Sequence, residues 1–99
     1  MCEFKIIRQN DGSQIQEDMV ILSYNEENEL ILKDVIGMGE VIPSALIMDV
    51  NTINQKCIIL EHPIIKSFIR FVTKLCDKKG VASDIDDLIG ELEKLKTST

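Results

Sequence analysis

The chain has 99 residues, 44% of them hydrophobic, and carries a formal net charge of −6 with a sequence pI near 4.7. That apolar share excludes a disordered chain, and the length allows one domain with a modest core to which a second subunit would add stability. The acidic balance excludes a surface that attracts nucleic acid or anionic lipid as a whole; any basic patch must be local.

No stretch approaches the roughly 18 consecutive apolar residues of a membrane span. Glu3 and Lys5 interrupt the N-terminus where a signal peptide would need an apolar run, so a cytoplasmic protein is expected. Cys2, Cys57 and Cys76 are odd in number and never form a Cys-x-x-Cys pair. Neither a disulfide framework nor a zinc ribbon follows, and the three should remain thiols.

Taken in order, Glu3 to Gln9 sets Phe4, Ile6 and Ile7 among charged neighbours, close to the alternation of a half-buried strand. Asp11-Gly12 then predicts a hairpin turn, because both residues tolerate the left-handed backbone that a tight reversal demands. Gln14 to Tyr24 reads as a second strand whose apolar run, Met19 to Leu22, needs cover on both faces. Asn25-Glu26-Glu27-Asn28 is a polar turn; its carboxylates are too few, and wrongly spaced, for a hard-metal site.

The chain is organised around Leu30 to Val50, where two apolar, β-branched runs meet at Gly37 and Gly39. The runs are short for helices, and the glycines suit a bulge or tight turn. Strands are expected over Glu29 to Val35, Gly39 to Ile42, Ala45 to Val50 and Lys56 to Glu61, with Pro43-Ser44 as a break.

From Ile64 the apolar period changes to threes and fours, through Ile65, Phe68, Phe71, Val72, Leu75 and Cys76. Pro63 suits the first position of this helix, and Gly80 after Lys78-Lys79 suits its C-terminal cap. Ser83 is the expected cap of a second helix, with Ile85, Leu88, Ile89, Leu92 and Leu95 as its buried stripe. Gly90 in its interior hints at close packing.

The expected fold is therefore mainly β within an α+β chain. A small five- or six-stranded antiparallel barrel or sandwich over residues 1–61 is followed by a C-terminal αα-hairpin over 62–99, packed on it or on a dimer partner.

Catalytic apparatus is absent from the sequence. There is no serine-nucleophile motif, no phosphate loop and no His-Glu-x-x-His, and Gly37-x-Gly39 is no dinucleotide fingerprint. The single histidine, His62, precedes a proline at the strand-to-helix junction, where a capping role is the simpler reading than a ligand role. Cys57 and Cys76 lie in apolar stretches, where a free cysteine behaves as a small hydrophobe.

Cys2 differs, because it sits beside the terminal amine. The Met1 amine, the deprotonated Cys2 amide nitrogen and the Cys2 thiolate can wrap one metal in two fused five-membered chelate rings. Planar nitrogen and sulfur donors suit Ni(II) or Cu(II), and a two-fold axis would bring two copies together to complete a four-donor square. By itself a lone cysteine is weak evidence, and an incidental surface thiol is the simpler reading.

Met1-Cys2-Glu3-Phe4-Lys5, then Glu17-Asp18-Met19-Val20, Leu32-Lys33-Asp34-Val35-Ile36-Gly37, Glu40-Val41 and Met48-Asp49-Val50 together resemble the CooT family of small nickel-binding proteins. The resemblance covers residues 1 to about 61. It implies a compact, mainly β homodimer that binds Ni(II) through Cys2 and acts in nickel handling for a metalloenzyme client; the absence of catalytic motifs, of an apolar span and of a basic balance argues separately against catalysis and against a membrane or nucleic-acid partner. Met1 joins Cys2 as a metal ligand only through the donor geometry above, and the helical hairpin falls outside the family pattern.

Two other readings compete. A protein interaction module working through the hairpin predicts an exposed apolar patch over Phe68 and Phe71, or over Leu88 and Leu92. RNA binding by a small barrel needs a basic face and stacking aromatics, and only four aromatic residues are present.

Overall fold

A computed structural model describes residues 3–77 and 81–99. Seven strands come first: β1 (Phe4–Arg8), β2 (Ser13–Met19), β3 (Ile21–Tyr24), β4 (Leu30–Lys33), β5 (Gly39–Ile42), β6 (Ala45–Asn51) and β7 (Lys56–Glu61). Two helices follow, α1 (Pro63–Asp77) and α2 (Val81–Ser98). The architecture is α+β, with a four-stranded sheet of order β2-β1-β7-β6 and a three-stranded sheet of order β3-β4-β5. The two strand sets do not close into one barrel.

Seven strands stand where five or six are expected, because the second run does not stay straight. Asp18 takes a left-handed φ of 59°, and Val20 N then donates to Lys33 O at 2.8 Å, at the end of β4. The chain thereby leaves the first sheet after Met19 and enters the second at Ile21, which gives each face of the Met19 to Leu22 run its own neighbours. The all-antiparallel expectation is also corrected. β1 and β7 run parallel, with Ile6 opposite Cys57 and Ile7 opposite Ile58.

The glycines of the central stretch act differently from each other. Gly37 has a φ of 88° in a turn that the Asp34 carboxylate closes by accepting from Ile36 N and Met38 N. Gly39 has an ordinary φ, but a Cβ placed there would lie 1.8 Å from Leu32 O. It is a point of close strand approach and not a bend.

One buried cluster joins the sheets. Phe4, Ile6, Met19, Ala45, Cys57 and Ile59 come from the larger, and Leu30, Leu32 and Ile42 from the smaller. Tyr24 clips the sheets together at their rim, its hydroxyl donating to Ala45 O at 2.8 Å and accepting from Ile47 N at 3.2 Å.

The helices stand apart from this cluster, and no residue of α1 is fully buried. Pro63 opens α1, where its missing N–H costs nothing. His62 caps it, Nδ1 accepting from Ile64 N at 3.1 Å. Ser44 anchors the first turn, its Oγ accepting from Lys66 N at 2.9 Å and donating to His62 O.

Three expectations for the hairpin need correction or fall elsewhere. Ser83 lies inside α2 and is not its cap, since the helix already runs from Val81. Gly90 meets nothing within 4 Å at its Cβ position, so it marks open space and not close packing. The expected cap at Gly80 lies outside the described residues, as do Lys78 and Lys79.

Candidate functional site

Met1 and Cys2, the expected metal ligands, lie outside the described residues. The chain is first described at Glu3, which is exposed, ahead of the buried Phe4. Phe4 pairs with Met19, and Lys5 N donates to Gln55 O at 2.9 Å. The described start of the chain therefore shares one end of the larger sheet with the turn between β6 and β7, where Ile53 is almost wholly exposed. Among the described residues no three His, Cys, Asp or Glu side chains gather to hold a metal ion.

The two described thiols have opposite settings. Cys57 is fully buried in β7, and burial, with the Asp49 carboxylate adding to it, pushes its thiol pKa up to about 11. It stays protonated at neutral pH and is a poor donor. Cys76 is exposed on α1, against the expectation that the helical stripe hides it.

The opposite end of β1 carries a polar clasp. Arg8 reaches Asp11 at 2.7 Å and Glu61 at 2.9 Å, while Asn10 exchanges hydrogen bonds with the Glu61 backbone. The Arg8 hydrogen bonds, with those from Ser13, hold the Asp11 carboxyl well below the usual carboxylate range. This group ties the β1–β2 turn to the end of β7. Its role is structural.

The feature that periodicity alone did not reveal is on the hairpin. Ser67 Oγ donates to Glu91 Oε1 at 2.8 Å, and Lys74 pairs with Asp84 at 3.1 Å. Ser67 and Lys74 are seven residues apart on α1, as Asp84 and Glu91 are on α2, so each pair lies on one line along its helix. The seam between the helices therefore runs along polar residues.

Each seam residue is followed directly by an apolar one: Phe68, Leu75, Ile85 and Leu92. One residue is about 100° of turn, so on both helices the apolar stripe lies a quarter-turn round from the seam. The helices are antiparallel, since Ser67 near the start of α1 meets Glu91 near the end of α2. With opposite directions and the same rotation, the stripes emerge on the same side.

Phe68, Val72, Leu75, Ile85, Ile89 and Leu92 make up this face and are between 38% and 55% exposed. The expectation of a buried stripe on α2 is thus corrected. Leu88 and Leu95 are half-buried, and Ile85, Ile89 and Leu92 are exposed. Lys66 of α1 pairs with Glu29 at 3.6 Å, and Arg70 and Thr73 line a groove against the β3–β4 turn, while Ile64, Ile65 and Ile69 of the same helix are half-buried. Lys66, Arg70 and Thr73 thus lie on the other side of α1 from the exposed Phe68, Val72 and Leu75.

No protein-family model, no curated protein and no solved structure matches this chain.

Proposed function

We propose that this protein is a non-catalytic, cytoplasmic Ni(II)-binding homodimer in which each chain supplies the Cys2 thiolate and the Met1 amine, and nickel is cargo for a metalloenzyme client. The observation that supports the choice of thiol is the state of Cys57, which is sealed in the interior and held protonated. Cys76 is exposed but belongs to no cluster of ligating side chains among the described residues. Cys2 is the thiol with nitrogen donors in its own backbone, and planar nitrogen and sulfur sets suit Ni(II). Coordination drives the thiol to thiolate, so affinity falls as pH falls. Packing of the two sheets on each other as a small sandwich belongs to the same reading.

Titration of the purified protein with Ni(II) should produce thiolate-to-metal absorption that Cys2→Ser abolishes and Cys57→Ser preserves. High-affinity binding retained by Cys2→Ser rejects the proposal. An intact mass of the same sample establishes whether Met1 is the residue that supplies the amine.

A second reading, a protein interaction module acting through the hairpin, is favoured by the exposed face of Phe68, Val72, Leu75, Ile85, Ile89 and Leu92. A contiguous exposed apolar face of this kind marks a docking surface, whatever the N-terminus binds.

A further inference from the structure

The base of the helical hairpin holds a cleft between the start of α1 and the end of α2. It spans about 400 Å³, the size of a small-molecule site. Its lining is mainly apolar, with Pro63 and the half-buried Ile64 on one wall and the half-buried Leu95 on the other. His62, Glu91 and Lys94 are its titratable groups.

The engagement of those groups decides what the cleft can take. At His62, Nδ1 accepts from Ile64 N at 3.1 Å, so the neutral ring carries its proton on Nε2 and its free nitrogen is a donor. Among the described residues the ion pairs engage Arg8, Lys66 and Lys74, and Lys94 is in none of them. Glu91, the one carboxylate of the lining, accepts from Ser67 in the seam at 2.8 Å, and Ser98 Oγ at the cleft's far margin already donates to Leu95 O.

Two uncommitted donors, one of them charged, thus stand beside an apolar floor. A cationic ligand would meet Lys94, and a wholly apolar one would cover both donors without satisfying them. An anionic head on an apolar body matches both parts. The first turn of α1 carries no acidic residue, and the negative end of α2 beside it is met by Lys96, so the helix ends do not oppose an anion. In the groove against the β3–β4 turn the balance is different: Lys66 and Lys74 already have carboxylate partners, and Glu26 and Glu27 form part of the wall.

We propose that the cleft binds a small amphipathic carboxylate, whose oxygens accept from Lys94 Nζ and His62 Nε2 while its hydrocarbon part lies on Pro63, Ile64 and Leu95. The cleft stands at the end of β7 away from the described start of the chain. The inference therefore goes beyond the nickel reading and does not rest on it, and the test is run in EDTA.

Octanoate is the probe, titrated into the full chain and followed by the amide resonances and those of the His62 ring. Saturable shifts are expected at His62, Ile64 and Leu95, with a Kd of about 1 mM or below for a ligand of this size. Acetate, which lacks the apolar body, and octylamine, which reverses the charge, should not saturate these shifts in the same range. Lys94→Met keeps an apolar stem and removes the charge. It should weaken octanoate at least about fivefold, with unchanged far-ultraviolet circular dichroism because Lys94 is exposed. Octanoate that fails to saturate the shifts overturns the proposal, and so does octylamine that saturates them equally. Undiminished binding by Lys94→Met rejects the assigned head-group contact and the proposal with it. Shifts centred on Phe68, Ile89 and Leu92 place the probe on the exposed face of the hairpin and reject the cleft.

Discussion

The hydrogen bond from Ser67 Oγ to Glu91 Oε1, 2.8 Å long, sets the direction in which Phe68 and Leu92 face. Because each is the next residue on its helix, a seam held at Ser67 and Glu91 leaves both apolar side chains on the open side. Ser67→Ala should cost about 1 kcal/mol of hairpin stability, the ordinary worth of such a bond. A double-mutant cycle with Glu91→Ala, read by chemical denaturation, should return most of that as coupling between the two.

Two glycines should respond in opposite directions to the same change. Gly39→Ala places a methyl group against the Leu32 carbonyl, a backbone atom that cannot move without parting β4 from β5. A loss of more than about 3 kcal/mol is expected. Gly90→Ala enters open space inside a helix and should gain up to about 1 kcal/mol. Urea midpoints of the two variants, at unchanged slope, check both signs.

The buried thiol of Cys57 makes stability depend on alkaline pH. Its folded pKa of about 11 lies above the ordinary value of 9.0, so between these values the folded chain keeps a proton that the unfolded chain has lost. Stability is then full below about pH 9 and falls as pH rises through 11, by roughly 3 kcal/mol in total. Cys57→Ala should flatten that alkaline limb in thermal melts. At pH 8 a thiol reagent should label the exposed Cys76 in the native protein and reach Cys57 only on unfolding.

Tyr24 is the clip between the two sheets. Its phenol pKa is raised, chiefly by burial, and its hydroxyl serves both Ala45 O and Ile47 N. Tyr24→Phe keeps the ring and removes both bonds, at a cost of about 1–2 kcal/mol. Amide exchange should accelerate first at Ile47, which loses its acceptor, before it does so along β7.

Much of the β region was legible because its signals are local. Asp11-Gly12 marked the first turn, the alternation around Phe4 and Ile6 marked β1, and Pro63 marked the start of α1. What remained hidden depends on residues far apart in the chain. Asp18 carries no more signal for a left-handed turn than other aspartates do, so the break after Met19 could not be seen. The parallel pairing of Ile6 with Cys57 joins strands that no turn connects. Periodicity located the stripe on each helix but not its exposure, which depends on the partner across the seam. The repeated order of a polar seam residue followed by an apolar one, at Ser67, Lys74, Asp84 and Glu91, was the available clue. The candidate ligands were legible as chemistry, amine beside thiol, and not as geometry.

The parallel pairing of β1 with β7 has a consequence for how the chain folds as it leaves the ribosome. β1 can form a hairpin with β2 at once, but its other edge has no neighbour until about fifty further residues have been made and β7 arrives alongside it. Through that interval a nascent strand with an unpaired edge is open to wrong pairing with other chains. Sheet completion is therefore a late step, set by the emergence of residues near Glu61, and slow translation ahead of that point prolongs the period of risk.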